Sequence, residues 1–287
     1  MTYRGRFAPS PTGRLHFGSL VAAVGSWLCA RHAGGQWLVR MEDIDPPREV
    51  PGSAAAIVST LQAFGLTADE PVLFQSRRMA AYDAAFERLR RTDRVFPCWC
   101  SRSALDTIGG IHRDGICSAH PSDTESPAWR LRAPDCDVAF DDLLQGPQRQ
   151  NLRSHAGDFV VRRVEGLYAY QLACVVDDAF QAITDVVRGN DLLDSTPRQI
   201  WLQRCLGLPA PTYRHLPLAL DAQGRKLSKS EQAHPVDSDD PMPALRRALA
   251  FLDIFPSNAS SPHELLSEAL AIFEPGALPH CSSRRAD

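Results

Sequence analysis

The sequence predicts an α/β fold in which a doubly wound parallel sheet is interrupted by an insertion and followed by a short helical C-terminal region. In residues 1–94, short apolar segments that favour strands alternate with longer periodic segments that favour helices. Residues 95–151 break this alternation because they are rich in Cys, Pro, Gly and Asp, and we interpret them as the insertion. The alternation resumes in residues 152–235, and residues 236–287 form the helical end.

The individual elements follow from apolar periodicity, helix caps and turn residues. The first half is expected to contain strands at 6–8 and 37–41, a loop at 9–18, and helices at 20–28, 53–64 and 79–90. The insertion shows only short strand-like segments, such as 129–131. The second half is expected to contain strands at 159–163, 183–187 and 217–220, an apolar segment at 168–176, and helices from Thr196, at 243–252 and at 262–273. The polar end beyond them is expected to fray.

The composition excludes several classes of protein. The 287-residue chain has 31 basic and 34 acidic residues and a formal charge of −3, so bulk electrostatic binding of nucleic acid is not expected. It has no run of about 18 apolar residues and no apolar segment behind its N-terminus. These features argue against membrane insertion and secretion and favour a cytoplasmic location. Eight Cys residues are too few for a disulfide scaffold, so a closely spaced subset is a metal candidate.

A first loop is suited to binding phosphate. His16 and Gly18 lie where the first strand gives way to a helix, and the N–H groups and dipole of a helix N-terminus attract anions. His16 can add a hydrogen bond that strengthens as charge develops on a phosphoryl oxygen. The alternative is an ordinary turn, rich in Gly and Pro, with one exposed His.

A second loop holds every Lys of the chain. Of the 31 basic residues only Lys226 and Lys229 are Lys, and both lie in residues 225–230. An ammonium is a compact, mobile point charge, so these side chains are suited to closing over a leaving pyrophosphate. The alternative is a solvated basic loop, but the absence of Lys elsewhere in the sequence argues against it.

The insertion contains a candidate metal site. Cys98 and Cys100 are separated by one residue, Cys117 follows a Gly-Gly turn, and His112 and His120 lie nearby in the sequence. Thiolates and imidazole in a tetrahedral arrangement suit a structural Zn²⁺ ion. The alternative is a set of spare thiols in a reducing cell.

The two loops carry a family resemblance. Residues 16–19 and 226–230 resemble the HIGH and KMSKS signatures of class I aminoacyl-tRNA synthetases, and residues 6–13 and 42–45 resemble the glutamyl branch of that family. The resemblance implies a Rossmann-type catalytic domain that activates L-glutamate with ATP and Mg²⁺, giving glutamyl-adenylate and pyrophosphate. It implies His16 and Lys229 as catalytic residues. The implied ATP-binding residues are His16, Gly18, Lys226, Ser228 and Lys229.

A glutamate pocket needs cations for two carboxylates and an anion for one ammonium. Arg6 and Arg188, each at the end of a predicted strand, suit the carboxylates, while Glu42 suits the ammonium and Tyr170 can supply a hydroxyl. The alternative for Arg188 and Glu42 is a set of ordinary surface ion pairs. Together with the family pattern, this chemistry gives the predicted glutamate-binding residues Arg6, Phe7, Ala8, Pro9, Ser10, Glu42, Tyr170 and Arg188.

The resemblance also bears on the metal. The related family places a Cys-x-Cys pair, and a Tyr four residues before a third Cys, around such an ion. This chain departs from that pattern because Arg113 occupies the Tyr position. The predicted zinc ligands are Cys98, Cys100, Cys117 and His112, and His120 or water is the alternative to His112.

The last segment separates branches of the family. Only residues 231–287 follow the second signature, which is too few for the helical anticodon-binding domain of discriminating glutamyl enzymes. This architecture resembles a tRNA-modifying branch, in which glutamate is activated without tRNA and transferred to the queuosine base in the anticodon of tRNA(Asp). The alternatives are a truncated glutamyl-tRNA synthetase that charges the tRNA 3′ end, and a non-catalytic tRNA-binding paralogue.

Overall fold

The computed structural model describes residues 2–107, 109–117, 119, 126–227, 235–257 and 259–286. The strands are β1 Arg4–Phe7, β2 Gln36–Met41, β3 Leu73–Phe74, β4 Val95–Cys98, β5 Ala128–Leu131, β6 Asp137–Asp142, β7 Gly146–Asn151, β8 Phe159–Arg162, β9 Asp185–Gly189, β10 Thr212–Leu216, β11 Leu218–Leu220 and β12 Ser283–Arg285. The helices are α1 Phe17–His32, α2 Ser53–Ala63, α3 Met79–Arg91, α4 Arg102–Asp106, α5 Leu152–His155, α6 Tyr170–Phe180, α7 Thr196–Leu206, α8 Pro241–Phe251 and α9 Pro262–Ala271.

The predicted α/β fold class is confirmed. A seven-stranded sheet has the order β3-β2-β1-β9-β10-β6-β7, and every neighbouring pair in it is parallel except β6 and β7. The first strand of the chain therefore lies in the interior of the sheet, directly between β2 and β9. Because parallel strands end at the same edge of a sheet, loops that are distant in sequence meet beside β1.

The strands of residues 95–151 are divided between two sheets. β4 and β5 pair with β8 in a separate antiparallel sheet of three strands, whereas β6 and β7 complete the edge of the main sheet. The sequence gives little sign of β6 and β7 because they alternate exposed charged or polar residues with few apolar ones, as an edge pair with a solvated face does. The boundaries of the proposed insertion stay a prediction.

The main core lies between the sheet and helices α1, α8 and α9. Leu20, Val24 and Leu28 of α1 have no exposed surface, and the ring of Trp37 stacks on that of Phe7 at a centroid distance of 6.3 Å. The core continues into the C-terminal helices, whose apolar side chains belong to the same buried cluster. Burial of such side chains contributes about 1.5–3 kcal/mol each, so a shared core joins the helical end to the seven-stranded sheet.

The expectation that the polar C-terminus frays is wrong. Residues 283–285 form β12, which pairs in parallel with β11, and Ala286 is only 3% exposed. The Ala286 N–H donates to Leu220 O at 3.0 Å, and its carbonyl accepts from Arg247 Nε at 2.7 Å. Main-chain hydrogen bonds hold this segment, and they leave no apolar pattern in the sequence. Among the described helices, none combines the length and apolar character needed to cross a membrane.

Candidate active site

A cavity of about 480 Å³ opens where β1, β2 and β9 end. Every predicted glutamate-binding residue lines it, and so do three of the five predicted ATP-binding residues. The two others, Ser228 and Lys229, lie outside the described residues. The predicted residues that line the cavity are Arg6, Phe7, Ala8, Pro9, Ser10, His16, Gly18, Glu42, Tyr170, Arg188 and Lys226.

A buried ion network holds the side of the cavity formed by β1 and β2. Asp178 Oδ1 accepts from Arg6 Nε at 3.1 Å and from Arg40 Nη1 at 2.7 Å. Arg40 Nη2 also donates to Glu42 Oε1 at 3.3 Å, and the Arg40 side chain has no exposed surface. The network fixes the directions of the two predicted glutamate-binding residues it contains, Arg6 and Glu42.

Burial and charge oppose each other in this network. Burial by itself raises the pKa of Asp178, but Arg6 and Arg40 lower it well below its ordinary value. The pKa of Glu42 is raised because burial outweighs the attraction of Arg40 and Arg6. A ligand ammonium beside Glu42 would favour the ionised carboxylate, which is the partner predicted for the substrate amino group.

Arg188 is held by a complete set of acceptors. A guanidinium has five N–H groups, and the neighbouring protein atoms can accept from all of them. These acceptors are His215 Nε2 at 3.0 Å, Gln199 Oε1 at 2.9 Å, Thr196 Oγ1 at 2.8 Å, Leu192 O at 3.3 Å and Tyr170 Oη at 3.3 Å. Among these acceptors, Tyr170 and Leu192 belong to residues that line the cavity.

His215 in turn contacts a carboxylate. Its Nδ1 lies 2.5 Å from Asp142 Oδ2, and neither side chain has exposed surface. Burial lowers the pKa of His215, and Arg188 lowers it further, against the opposing hydrogen bond to Asp142. His215 is therefore a neutral imidazole, and neither it nor Asp142 was predicted from the sequence.

His16 lies at the N-terminus of α1, as predicted for a phosphate-binding loop. Its Nδ1 accepts from the Ser19 N–H at 3.2 Å, which makes His16 the cap of the helix. Its pKa is lowered by burial and then by Lys226, so the ring is neutral near pH 7. The first turn of α1 carries no acidic residue to compete with an anion for the helix dipole and for the N–H groups that this cap does not use.

The lysine-bearing loop begins and ends beside this helix. Lys226 pairs with Leu220 in an isolated β-bridge, and its ammonium contacts the carboxylate of Asp191. After the segment outside the described residues, Pro235 forms a bridge with His16 itself. The chain that follows the second signature thus returns to His16, and His16 and Lys226 line the same cavity although they are far apart in the chain.

Three thiols in the small antiparallel sheet and the adjoining loop form a cluster. The sulfur atoms of Cys98, Cys100 and Cys117 all lie within 4.8 Å of one another, and Cys100 Sγ is 3.7 Å from Cys117 Sγ. Tetrahedral zinc with Zn–S bonds of about 2.3 Å requires sulfur atoms about 3.8 Å apart, so the donor set fits this metal. Arg130 Nε, 3.2 Å from Cys98 Sγ, would offset thiolate charge.

His112 lies outside the cluster of three thiols. Its Nδ1 is 2.8 Å from Asp158 Oδ2, and the same carboxylate oxygen accepts from the Gly115 N–H at 2.8 Å. This buried pair ties the loop that carries Cys117 to the segment before β8. The structure therefore gives His112 an interaction other than the predicted metal bond, and the alternative ligand His120 lies outside the described residues.

Replacing Cys98 with Ser is expected to remove bound zinc and lower Tm by about 5 °C or more, because a lost structural ligand weakens the metal's contribution to folding. The glutamate KM is expected to change little, since none of the three Cys residues lines the cavity. Elemental analysis and thermal unfolding test this, with the exposed Cys136→Ser as the matched control. Equal zinc content in the two variants would refute the assignment.

The fold and the paired signature loops define a class I synthetase catalytic domain. The chain belongs to the family described as tRNA synthetases class I (E and Q), catalytic domain, whose model matches residues 2–125 and 117–253. As a member of this family it is an enzyme of the ligase type.

More specific relatives bear one name. The chain is 57% identical over 282 residues to the Glutamyl-Q tRNA(Asp) synthetase of Xanthomonas axonopodis pv. citri (strain 306), covering 96% of this chain and 93% of that protein. It is 55% identical over 287 residues to the protein of that name from Xanthomonas campestris pv. campestris (strain 8004), covering 99% and 95%.

A solved structure resembles the whole chain. The glutamate tRNA ligase from Elizabethkingia meningosepticum CCUG26117, in complex with its amino acid, matches with a TM-score of 0.80 and 25% identity. The match covers 100% of this chain and 67% of the ligase. The similarity therefore extends over the described sheets and the C-terminal helices, and part of the ligase lies outside it.

Proposed function

We propose that this enzyme activates L-glutamate with ATP and Mg²⁺, without tRNA, and transfers the glutamyl group to the queuosine base in the anticodon of tRNA(Asp). The observation that carries the proposal is one cavity in which Arg6, Glu42 and Arg188 lie beside the α1 N-terminus and the lysine-bearing loop. The names of the Xanthomonas relatives support the choice of acceptor. A cytoplasmic location belongs to the same proposal.

The two guanidiniums differ in what they offer a carboxylate. Arg6 uses Nε and Nη2 toward Asp178, and its Nη1 has no acceptor among the described residues. It is therefore the better direct partner for a carboxylate. All five N–H groups of Arg188 are engaged, so a carboxylate must displace a partner that lines the cavity, Tyr170 or Leu192, or accept from the hydroxyl of Tyr170.

Adenylate formation needs little acid–base chemistry. A glutamate carboxylate oxygen attacks the α-phosphorus of ATP, the bond to the oxygen that bridges the α- and β-phosphates breaks, and pyrophosphate leaves. Mg²⁺ bound with ATP would offset the charge of the phosphates. Catalysis then consists of positioning and of stabilising charge that develops on the phosphates. His16, the α1 N–H groups, Lys226 and Lys229 are the groups proposed for that stabilisation.

The transfer step uses a hydroxyl of the modified base. This oxygen attacks the carbonyl carbon of the adenylate, an ester forms, and AMP leaves with the bonding electron pair. The hydroxyl proton passes to solvent or to the phosphate group of the released AMP. Zn²⁺, when bound by Cys98, Cys100 and Cys117, would stabilise the fold around the small sheet without entering either step.

The decisive experiment is ATP–pyrophosphate exchange with glutamate and without tRNA. Exchange that depends on glutamate is expected, and its absence in folded, zinc-replete protein would favour a non-catalytic tRNA-binding role. Charging of tRNA(Asp) with and without queuosine then tests the acceptor. Glutamate is expected to become attached only to the queuosine-containing tRNA.

A second function is favoured by the structural similarity to a glutamate tRNA ligase. In that case the enzyme would charge a tRNA 3′ end instead of an anticodon base. A glutamyl ester on the 3′ adenosine of tRNA(Glu), located by nuclease digestion and mass spectrometry, would establish this alternative and overturn the proposed acceptor.

A further inference from the structure

Three neighbouring strands carry a line of buried polar contacts that ends at the cavity. Asp142 is the last residue of β6, His215 lies in β10 and Arg188 in β9, and these strands are adjacent in the sheet. In the strand register His215 is directly opposite Arg188. The side chains therefore connect β6, where no site residue was predicted, to a residue that lines the cavity.

The contacts permit one arrangement of protons. Ionised Asp142 can only accept hydrogen bonds, so Nδ1 of His215, 2.5 Å away, must carry a proton. Nε of Arg188 can only donate, so Nε2 of His215, 3.0 Å away, must be unprotonated. His215 has no exposed surface, and water therefore cannot replace either partner.

We propose that Asp142 and His215 are positioning residues for Arg188 in glutamate binding. This inference rests on the proposed function. Asp142 selects the His215 tautomer with its proton on Nδ1, and Nε2 then fixes the guanidinium of Arg188 through its Nε–H. The remaining acceptors of Arg188 hold the other end of the guanidinium, so the pair sets the orientation presented to Tyr170 and the substrate.

The Asp142→Asn variant reverses this selection with little change in shape. Oδ1 of the side chain accepts the backbone N–H groups of Leu144, Gln145 and His215, and an amide oxygen can keep these bonds. The amide NH₂ in place of Oδ2 would donate to Nδ1 of His215. The ring proton then moves to Nε2, where it faces the N–H of Arg188 and has Thr196 Oγ1, 3.2 Å away, as its neighbouring acceptor.

The expected result is a rise of about 10- to 100-fold in glutamate KM, since a buried donor loses its acceptor. The kcat and the ATP KM are expected to change less than about threefold. The lost interaction stabilises bound glutamate and the transition state equally, so its loss weakens binding without raising the barrier from the bound state. ATP–pyrophosphate exchange measures all three constants. Asp141→Asn, an exposed change of the same kind on the same strand, is the matched control.

Substitution of His215 supplies a rescue test that does not require the Asp142→Asn variant to fold. In His215→Gln the amide nitrogen can donate to Asp142 while the oxygen accepts from Arg188, so the glutamate KM should stay within about threefold of wild type. His215→Phe offers neither group and should show the raised KM. Equal glutamate KM values for the Gln and Phe variants would overturn the proposal.

The tautomer itself can be observed. Long-range ¹H–¹⁵N spectra of histidine-labelled protein should show His215 protonated on Nδ1 in the wild type and on Nε2 in Asp142→Asn. A wild-type proton on Nε2, or a shifted tautomer with unchanged glutamate KM, would also overturn the proposal. Absence of glutamate-dependent exchange in the wild type would instead refute the proposed function, whatever the tautomer.

Discussion

Replacing Asp178 with Asn is expected to lower the free energy of unfolding by about 3–5 kcal/mol, the usual cost of removing one partner from a buried ion network. Asp178 is the carboxylate that both Arg6 and Arg40 contact, and both guanidiniums are buried. With a neutral amide in its place, two positive charges would face each other, and Glu42 would be the carboxylate still in contact with Arg40. Urea unfolding at neutral pH measures the difference.

The exposed Asp194→Asn substitution is the control for that experiment, because it removes the same charge where solvent can replace it. It is expected to change the free energy of unfolding by less than about 0.5 kcal/mol. Asp178→Asn should also raise the glutamate KM, since Arg6 loses the partner that orients it. Equal urea midpoints for the two variants would show that Asp178 does not hold the network.

Replacing Lys229 with Ala is expected to reduce kcat for adenylate formation by about 10²- to 10³-fold, comparable to the loss of one group that stabilises transition-state charge. The prediction rests on the family signature together with the observed ends of the loop, which lie at Lys226 and beside His16. The effect should appear in glutamate-dependent ATP–pyrophosphate exchange. Little change in Tm is expected.

Arg225→Ala provides the comparison, because it removes a cation from the same loop at an exposed position where Arg225 pairs with Asp221. Its exchange rate should stay within about threefold of wild type. If Lys229→Ala retained the activity of the Arg225 variant, the ammonium would have no part in stabilising the phosphates, and the catalytic role would pass to His16 and Lys226.

Much of the fold follows from local patterns. The helices at 53–64 and 79–90 and the strand at 37–41 were predicted within one residue of α2, α3 and β2, because apolar periodicity and turn residues mark them clearly. The strands that were not predicted include β6, β7 and β12. Their pairing depends on main-chain hydrogen bonds at sheet edges, and those bonds impose no apolar period on the side chains.

The residues of the candidate site also differ in how far the sequence predicts them. Arg6, Glu42 and Arg188 could be proposed because they lie at or next to the ends of predicted strands and match a family pattern. Arg40 and Asp178 carry weaker signals: a charged residue within a buried apolar strand, and an acidic pair closing an apolar helix. A buried charge requires a partner. The sequence could therefore have indicated that each of these residues has a charged partner, but not that they are partners of each other.

The sequence by itself determined the two signature loops, the rarity of Lys and the charges that a glutamate pocket needs, because each is a matter of residue type and spacing. Only the tertiary structure decided which groups are left to meet a substrate. Parallel strands bring Arg6, Arg188, His16 and Lys226 to one edge, while buried partners take up the hydrogen bonds of Arg188 and leave Nη1 of Arg6 without an acceptor among the described residues. The acceptors that occupy these hydrogen-bond donors come from residues distant in the chain. Which donors stay unoccupied is therefore decided only when the strands have assembled.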